Sequence, residues 1–90
     1  MREPELIVAV EEGGLARVDA PLAAGDDPET TNRHGVPALA LAAIWGRVKV
    51  VRRLLAAGAD PGRAAGHQLT TPLMVARNAS CVRALVDAGA

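Results

Sequence analysis

The sequence predicts an all-α chain in which pairs of short helices, each joined by a tight turn, lie side by side as a solenoid. Three observations predict it. The stretch HGVPALALAAIWGRVKVVRRLLAAGADP, from His34 to Pro61, holds two helical apolar patterns separated by Gly46. Leu39, Ala42 and Ala43 form the first; Val48, Val51 and Leu55, with Val50 and Leu54 alongside, form the second at the three-and-four spacing of a buried stripe. The segment LIVAVEEGGLARVDAPLAAGDDP ahead of it repeats the pattern: Leu6 meets Leu39, Gly13 meets Gly46, Gly25 meets Gly58 and Asp27 meets Asp60, each pair 33 apart. Finally, half of the 90 residues are apolar, yet Trp45 is the one aromatic residue, so the interior is built from Ala, Val, Leu and Ile. Such a core suits closely packed helices. A chain of this length is near the limit at which one globular core suffices, and stacking repeated units is a way round that limit.

In chain order, Pro4 suits the first turn of the first helix. Pro21 falls inside the second, where a missing N–H and a clash with the preceding turn cost about 3 kcal/mol. A short, kinked or frayed helix is therefore expected around Arg17 to Leu22. DPETTNRH, residues 27–34, is rich in turn formers and links the first unit to the second. Gly58 closes the fourth helix, and Asp60-Pro61 forbids its continuation. In the last segment Thr71 suits a helix N-cap, with Pro72 at the first helical position. Leu39 to Leu73 spans 34 residues and Gly58 to Gly89 only 31, which predicts a longer connection before this unit and an inter-helix turn shortened by three, Asn78-Ala79-Ser80 bridging directly into Cys81. Met74, Val75, Val82, Leu85 and Val86 form a last stacking surface, expected to meet water in part unless something covers it.

The central stretch resembles an ankyrin repeat, in which a glycine leads into TPLHxAA, a GH turn, an IVxxLL helix and a closing GAD. Gly35, Leu39, Ala42, Ala43, Gly46, Val50, Val51, Leu54, Leu55, Gly58, Ala59 and Asp60 fall on the matching places, and Thr71-Pro72-Leu73 restores the TPL in the last copy. Pro37 sits one residue early, Arg47 replaces the histidine, and Leu69 stands where the family has its hairpin glycine. The resemblance implies an ankyrin-type helix-turn-helix solenoid with short β-hairpin loops. It implies one domain over residues 1–90, divided into a partial N-terminal repeat (1–26), a complete repeat (27–59) and a third repeat with a shortened inter-helix turn (60–90). It further implies a non-catalytic protein–protein interaction module that binds a partner protein through its concave face and hairpin tips. Alanine-lined inner helices approach more closely than Val- and Leu-bearing outer ones, which bends the stack and forms that face. Carried over residue by residue, the contact positions are Arg33, His34, Val36, Ile44 and Trp45, with His67, Gln68 and Thr70 in the next hairpin. Tryptophan and arginine are enriched among interface hot spots.

Charge and motifs narrow the functional classes. Net charge is zero, but residues 1–30 hold eight acids and two bases (−6) and residues 31–90 eight bases and two acids (+6), so the stack is a strong dipole. No run of about 18 apolar residues suggests a membrane span, and MREPELIVAVEEGG has too short an apolar core for a secretory signal, which points to a cytoplasmic chain. Cys81 has no internal disulfide partner and fills a slot for a small hydrophobe. His34 and His67 share a position one period apart, but stacked units sit about 10 Å apart, too far for shared zinc ligation within about 2.1 Å. Glu11 and Glu12 are adjacent on a helix and do not face one another. With no phosphate loop, nucleophile elbow or CxxC spacing, the sequence shows no catalytic carrier and asks for no cofactor or metal. Asn78-Ala79-Ser80 spells a glycosylation acceptor without a secretion signal beside it. Nucleic-acid binding through Arg47, Lys49, Arg52 and Arg53 is the weaker reading, since stacking aromatics are missing. The alternative to an unidentified protein partner is a self-associating structural fragment of a longer array, joined through its uncapped C-terminal face.

Overall fold

A computed structural model describes residues 4–12, 14–62 and 71–89. Six helices follow in order among them: α1 (Glu5–Glu12), α2 (Leu15–Ala23), α3 (Ala38–Ile44), α4 (Val48–Ala56), α5 (Pro72–Val75) and α6 (Ala79–Asp87). Within each unit α1 packs on α2, α3 on α4 and α5 on α6; between units α1 meets α3, α3 meets α5, α2 meets α4 and α4 meets α6. The result is two layers, with α1, α3 and α5 inside and α2, α4 and α6 outside. This is the all-α solenoid that the repeat spacing predicts, of the ankyrin type that the resemblance implies.

The centre of the stack is α3. All six residues from Ala38 to Ala43 are buried, as befits a helix without a charged side chain that has neighbours on both sides. Alanine leaves room for α1 and α5 to come close. Leu6, Ile7 and Val10 fill the seam from α1, Val18 and Leu22 from α2, and Val50, Val51 and Leu54 from α4. Cys81 and Leu85 complete it from α6, and no polar side chain is buried among the described residues. Leu85 therefore belongs to the core and not to an open end surface, whereas Val82 and Val86 of the same helix are exposed.

The helix ends are fixed by repeated hydrogen bonds. In α2, Gly25 N donates to Leu22 O and Asp26 N to Pro21 O; in α4, Gly58 N donates to Leu55 O and Ala59 N to Leu54 O. Both glycines have φ near +100° (99° and 103°), which a Cβ makes costly. Pro21 leaves α2 neither shortened nor interrupted. The helix is nine residues, the same as α4, and continues through the proline. The ring is buried, and the Pro21 carbonyl anchors the terminal bond from Asp26 at 2.9 Å.

The third unit departs from expectation in one respect. Its missing three residues come out of the inner helix, since α5 has four residues where α3 has seven. The connection to the outer helix is not shortened: 76–78 stands where 45–47 stood. Arg77 N then donates to Ala43 O at 3.1 Å, and Asn78 Nδ2 to Gly46 O at 3.0 Å. Backbone and side chain of the short connection thus bind the end of α3 directly.

Candidate functional site

The predicted contact residues fall on the connection 27–37 and on α3. Asp27 Oδ1 accepts from Glu29 N at 2.8 Å and Thr30 Oγ1 donates to Asp27 O at 2.6 Å, which sets the first bend. Asp60 Oδ1 accepts from Gly62 N in the same way one unit on, at 2.9 Å. The chain then runs out and back with one antiparallel bridge, Thr31 to Pro37. Asn32 holds the tip: its Oδ1 accepts from His34 N at 2.9 Å and Val36 N at 3.0 Å, and its own N–H donates to Val36 O at 2.9 Å. Arg33 and His34 are therefore exposed on a tip where the N–H groups of Asn32, His34, Gly35 and Val36 are all hydrogen-bonded, while Val36 is half-buried where the chain returns to α3.

Ile44 and Trp45 lie at the other end of α3. Ile44 is half-buried against the core, and Trp45, the helix C-cap, is 57% exposed. At about 1.5 Å per residue, the seven-residue helix separates them from the hairpin by about 10 Å. The five residues form two groups, a polar tip and an apolar end. His67, Gln68 and Thr70, with Leu69, lie outside the described residues.

Trp45 has company that the sequence reading did not supply. It lines an open cavity of about 370 Å³ with Leu15, Gly46, Arg47, Val48, Lys49 and Val50. Leu15 is exposed as well. Leu15 and Val48 are the first residues of α2 and α4 and lie one 33-residue period apart, a signal present in the sequence but not used there. Arg47 Nη2 reaches back to Glu11 O at 3.3 Å, and Arg53 Nε donates to Asp19 Oδ1, so two of the four bases on this stretch tie the second unit to the first. Lys49 and Arg52 are exposed.

The other chemical candidates have structural roles. Glu12 Oε2 accepts from Arg17 Nη1 at 3.0 Å in a surface ion pair. Asn78 Oδ1 caps α6 by accepting from Cys81 N at 2.9 Å, while its Nδ2, the atom a glycan would take, is bonded to Gly46 O. Burial pushes the Cys81 thiol above its ordinary pKa, which keeps it protonated and unreactive near neutral pH. Among the described residues no group of three His, Cys, Asp or Glu is placed to hold a metal ion, and no helix is long and apolar enough to cross a membrane.

A family model described as ankyrin repeats, three copies, matches residues 6–90. The chain belongs to the ankyrin-repeat family. Its repeats also resemble those in the crystal structure of the ankyrin repeat domain of Bcl-3, described as a unique member of the IkappaB protein family. That likeness has a TM-score of 0.84 and 34% sequence identity, and it covers 90% of this chain and 35% of the other. The chain thus spans about a third of that domain's length. No curated protein matches the sequence significantly. Ankyrin repeats generally act as protein-interaction modules, and that general role fits a molecule whose polar hairpin tip and apolar helix end stand exposed on one stack.

Proposed function

We propose that this chain is a non-catalytic, cytoplasmic protein-binding module whose partner seats on the hairpin tip and the end of the inner helix. Arg33 and His34 supply polar contacts, Val36 and Ile44 the apolar floor between them, and Trp45 the anchor. His67, Gln68 and Thr70, which lie outside the described residues, are added as contacts by the resemblance alone. One observation carries this reading: the chain's single aromatic side chain is, among the described residues, the most exposed large apolar one, beside exposed Leu15. Leaving an indole in water forgoes the largest apolar burial in the molecule, and partner contacts are where such side chains recover it. The repeat division at residues 26 and 59 belongs to the same proposal, since it puts each hairpin ahead of the inner helix it serves.

Affinity capture from the source cells tests the reading, with the intact chain, Trp45→Ala and Arg33→Ala in parallel. The expected result is a specific band that Trp45→Ala loses and Arg33→Ala weakens. A specific band retained by both variants would refute this placement of the site.

A further inference from the structure

The three outer helices carry an apolar pair at the same two positions: Val18 and Leu22 on α2, Val51 and Leu55 on α4, Val82 and Val86 on α6. In the first two units these side chains are buried or half-buried; on α6, Val82 is 37% and Val86 52% exposed. The surroundings differ by one neighbour. α4 packs along α2 and α6 along α4, but no described outer helix lies beyond α6.

The opposite end of the stack has a matching hollow. Glu5, Val8, Ala9, Glu12, Arg17 and Ala20 line a cavity of about 240 Å³. One period later, Ala38, Leu41 and Ala42 stand at the places of Glu5, Val8 and Ala9, and all three are buried where α3 packs on α1. The hollow is thus the face on which a preceding unit would rest, with an apolar floor and two glutamates at its rim. Glu12 is shared there with Arg17. At the α6 end, Arg77 and Arg83 are exposed, with Asp87 the one acid beside them.

We propose that the α5–α6 end of one chain seats on the α1–α2 end of a second copy, with α6, through Val82 and Val86, along α2 at Ala20 and α5 along α1 at Val8, as α4 lies along α2 and α3 along α1 within the chain. Charge favours this order of ends. Residues 1–30 carry −6 and residues 60–90, with three bases and two acids, carry +1, so the ends that meet head to tail are unlike, whereas two α1–α2 ends would set −6 against −6. The contact joins two different surfaces and does not close on itself, so it adds copies in a row. Part of the rim charge must lose water, which keeps the association weak and sensitive to salt.

Sedimentation velocity of the whole chain over a concentration series tests this, at about 0.05 M and about 0.5 M salt to change the screening length. Mass is expected to rise with concentration at low salt and less so at high salt. Val86→Glu, at an exposed site, is expected to weaken self-association by about tenfold or more while helical circular dichroism is unchanged. Glu5→Arg and Arg83→Glu are each expected to weaken it alone, and an equal mixture of the two variants to restore it, because each altered end then meets its complement. A chain that stays monomeric at every concentration, or an association indifferent to Glu5→Arg, overturns the proposal. The second outcome would leave pairing of two α6 faces in its place.

Discussion

Replacing Asn78 with alanine removes two bonds made by one side chain. Its Oδ1 caps α6 at Cys81 N, and its Nδ2 ties the third unit to the second at Gly46 O. Loss of an Asn cap costs about 1 kcal/mol. Loss of a neutral side-chain bond to backbone costs about 1 kcal/mol, discounted to about 0.5 because water reaches Asn78 and can replace the carbonyl. The sum is about 1.5 kcal/mol. For a chain of this size that lowers Tm by about 6–12 °C. Asn78→Ser separates the two parts, because its hydroxyl can still cap α6 but is too short to reach Gly46. It should cost about 0.5 kcal/mol, a third of the alanine effect. Urea unfolding followed by circular dichroism measures both, with hydrogen exchange at the Cys81 amide as a local readout. If Asn78→Ala shifts stability by less than about 0.5 kcal/mol, the side chain holds nothing. If Ser and Ala are equally damaging, the cap reasoning fails.

Gly46→Ala should destabilise by about 1–2 kcal/mol, because φ is +69° and the new Cβ would stand 2.8 Å from Asn78 Nδ2. Combined with Asn78→Ala it should cost less than the sum of the two, and strict additivity in urea unfolding would contradict the contact. Leu54→Ala empties a fully buried site and should cost about 2–5 kcal/mol, enough to leave a large unfolded fraction by circular dichroism at 25 °C; near-wild-type stability would mean that α4 is registered wrongly. Cys81 has a folded pKa raised by burial above the ordinary 9.0. The stability linked to this raised pKa is fully present below pH 9.0 and is lost as pH rises through the folded value, because the unfolded thiol ionises first. Cys81→Ala should flatten that alkaline slope in urea titrations; an unchanged slope would assign it to another group.

The outer helices are legible in the sequence because their apolar spacing is strict. Val48, Val51 and Leu55 mark α4, and the 33-residue offset carries the same reading to Val18 and Leu22. Counting from leucine to glycine, 19 residues from Leu39 to Gly58 and 16 from Leu73 to Gly89, showed that the third unit lacks three residues but not where they are lost. Turn and helix compete there. Ala76 leaves the helical region, with ψ 130°, because Arg77 and Asn78 can then reach the Ala43 and Gly46 carbonyls across the unit boundary. A window along one helix does not contain that long-range bond. Pro21 was misjudged for a related reason: a local rule counts the lost donor but not the buried ring or the terminal bond its carbonyl accepts. At the candidate site, exposure of Arg33 and His34 followed from the turn residues around them. The grouping of Trp45 with Leu15 and Val48 needed a comparison of units across the stack.

The placement of Trp45 at the open end of α3 decides what the chain's one ultraviolet fluorophore can report. An indole 57% exposed in the native state gains less water on unfolding than a buried one would, so its emission shifts less when the helices melt. The same side chain becomes shielded when another surface closes over it. Native emission therefore gives a quiet baseline for following ligation without any attached dye.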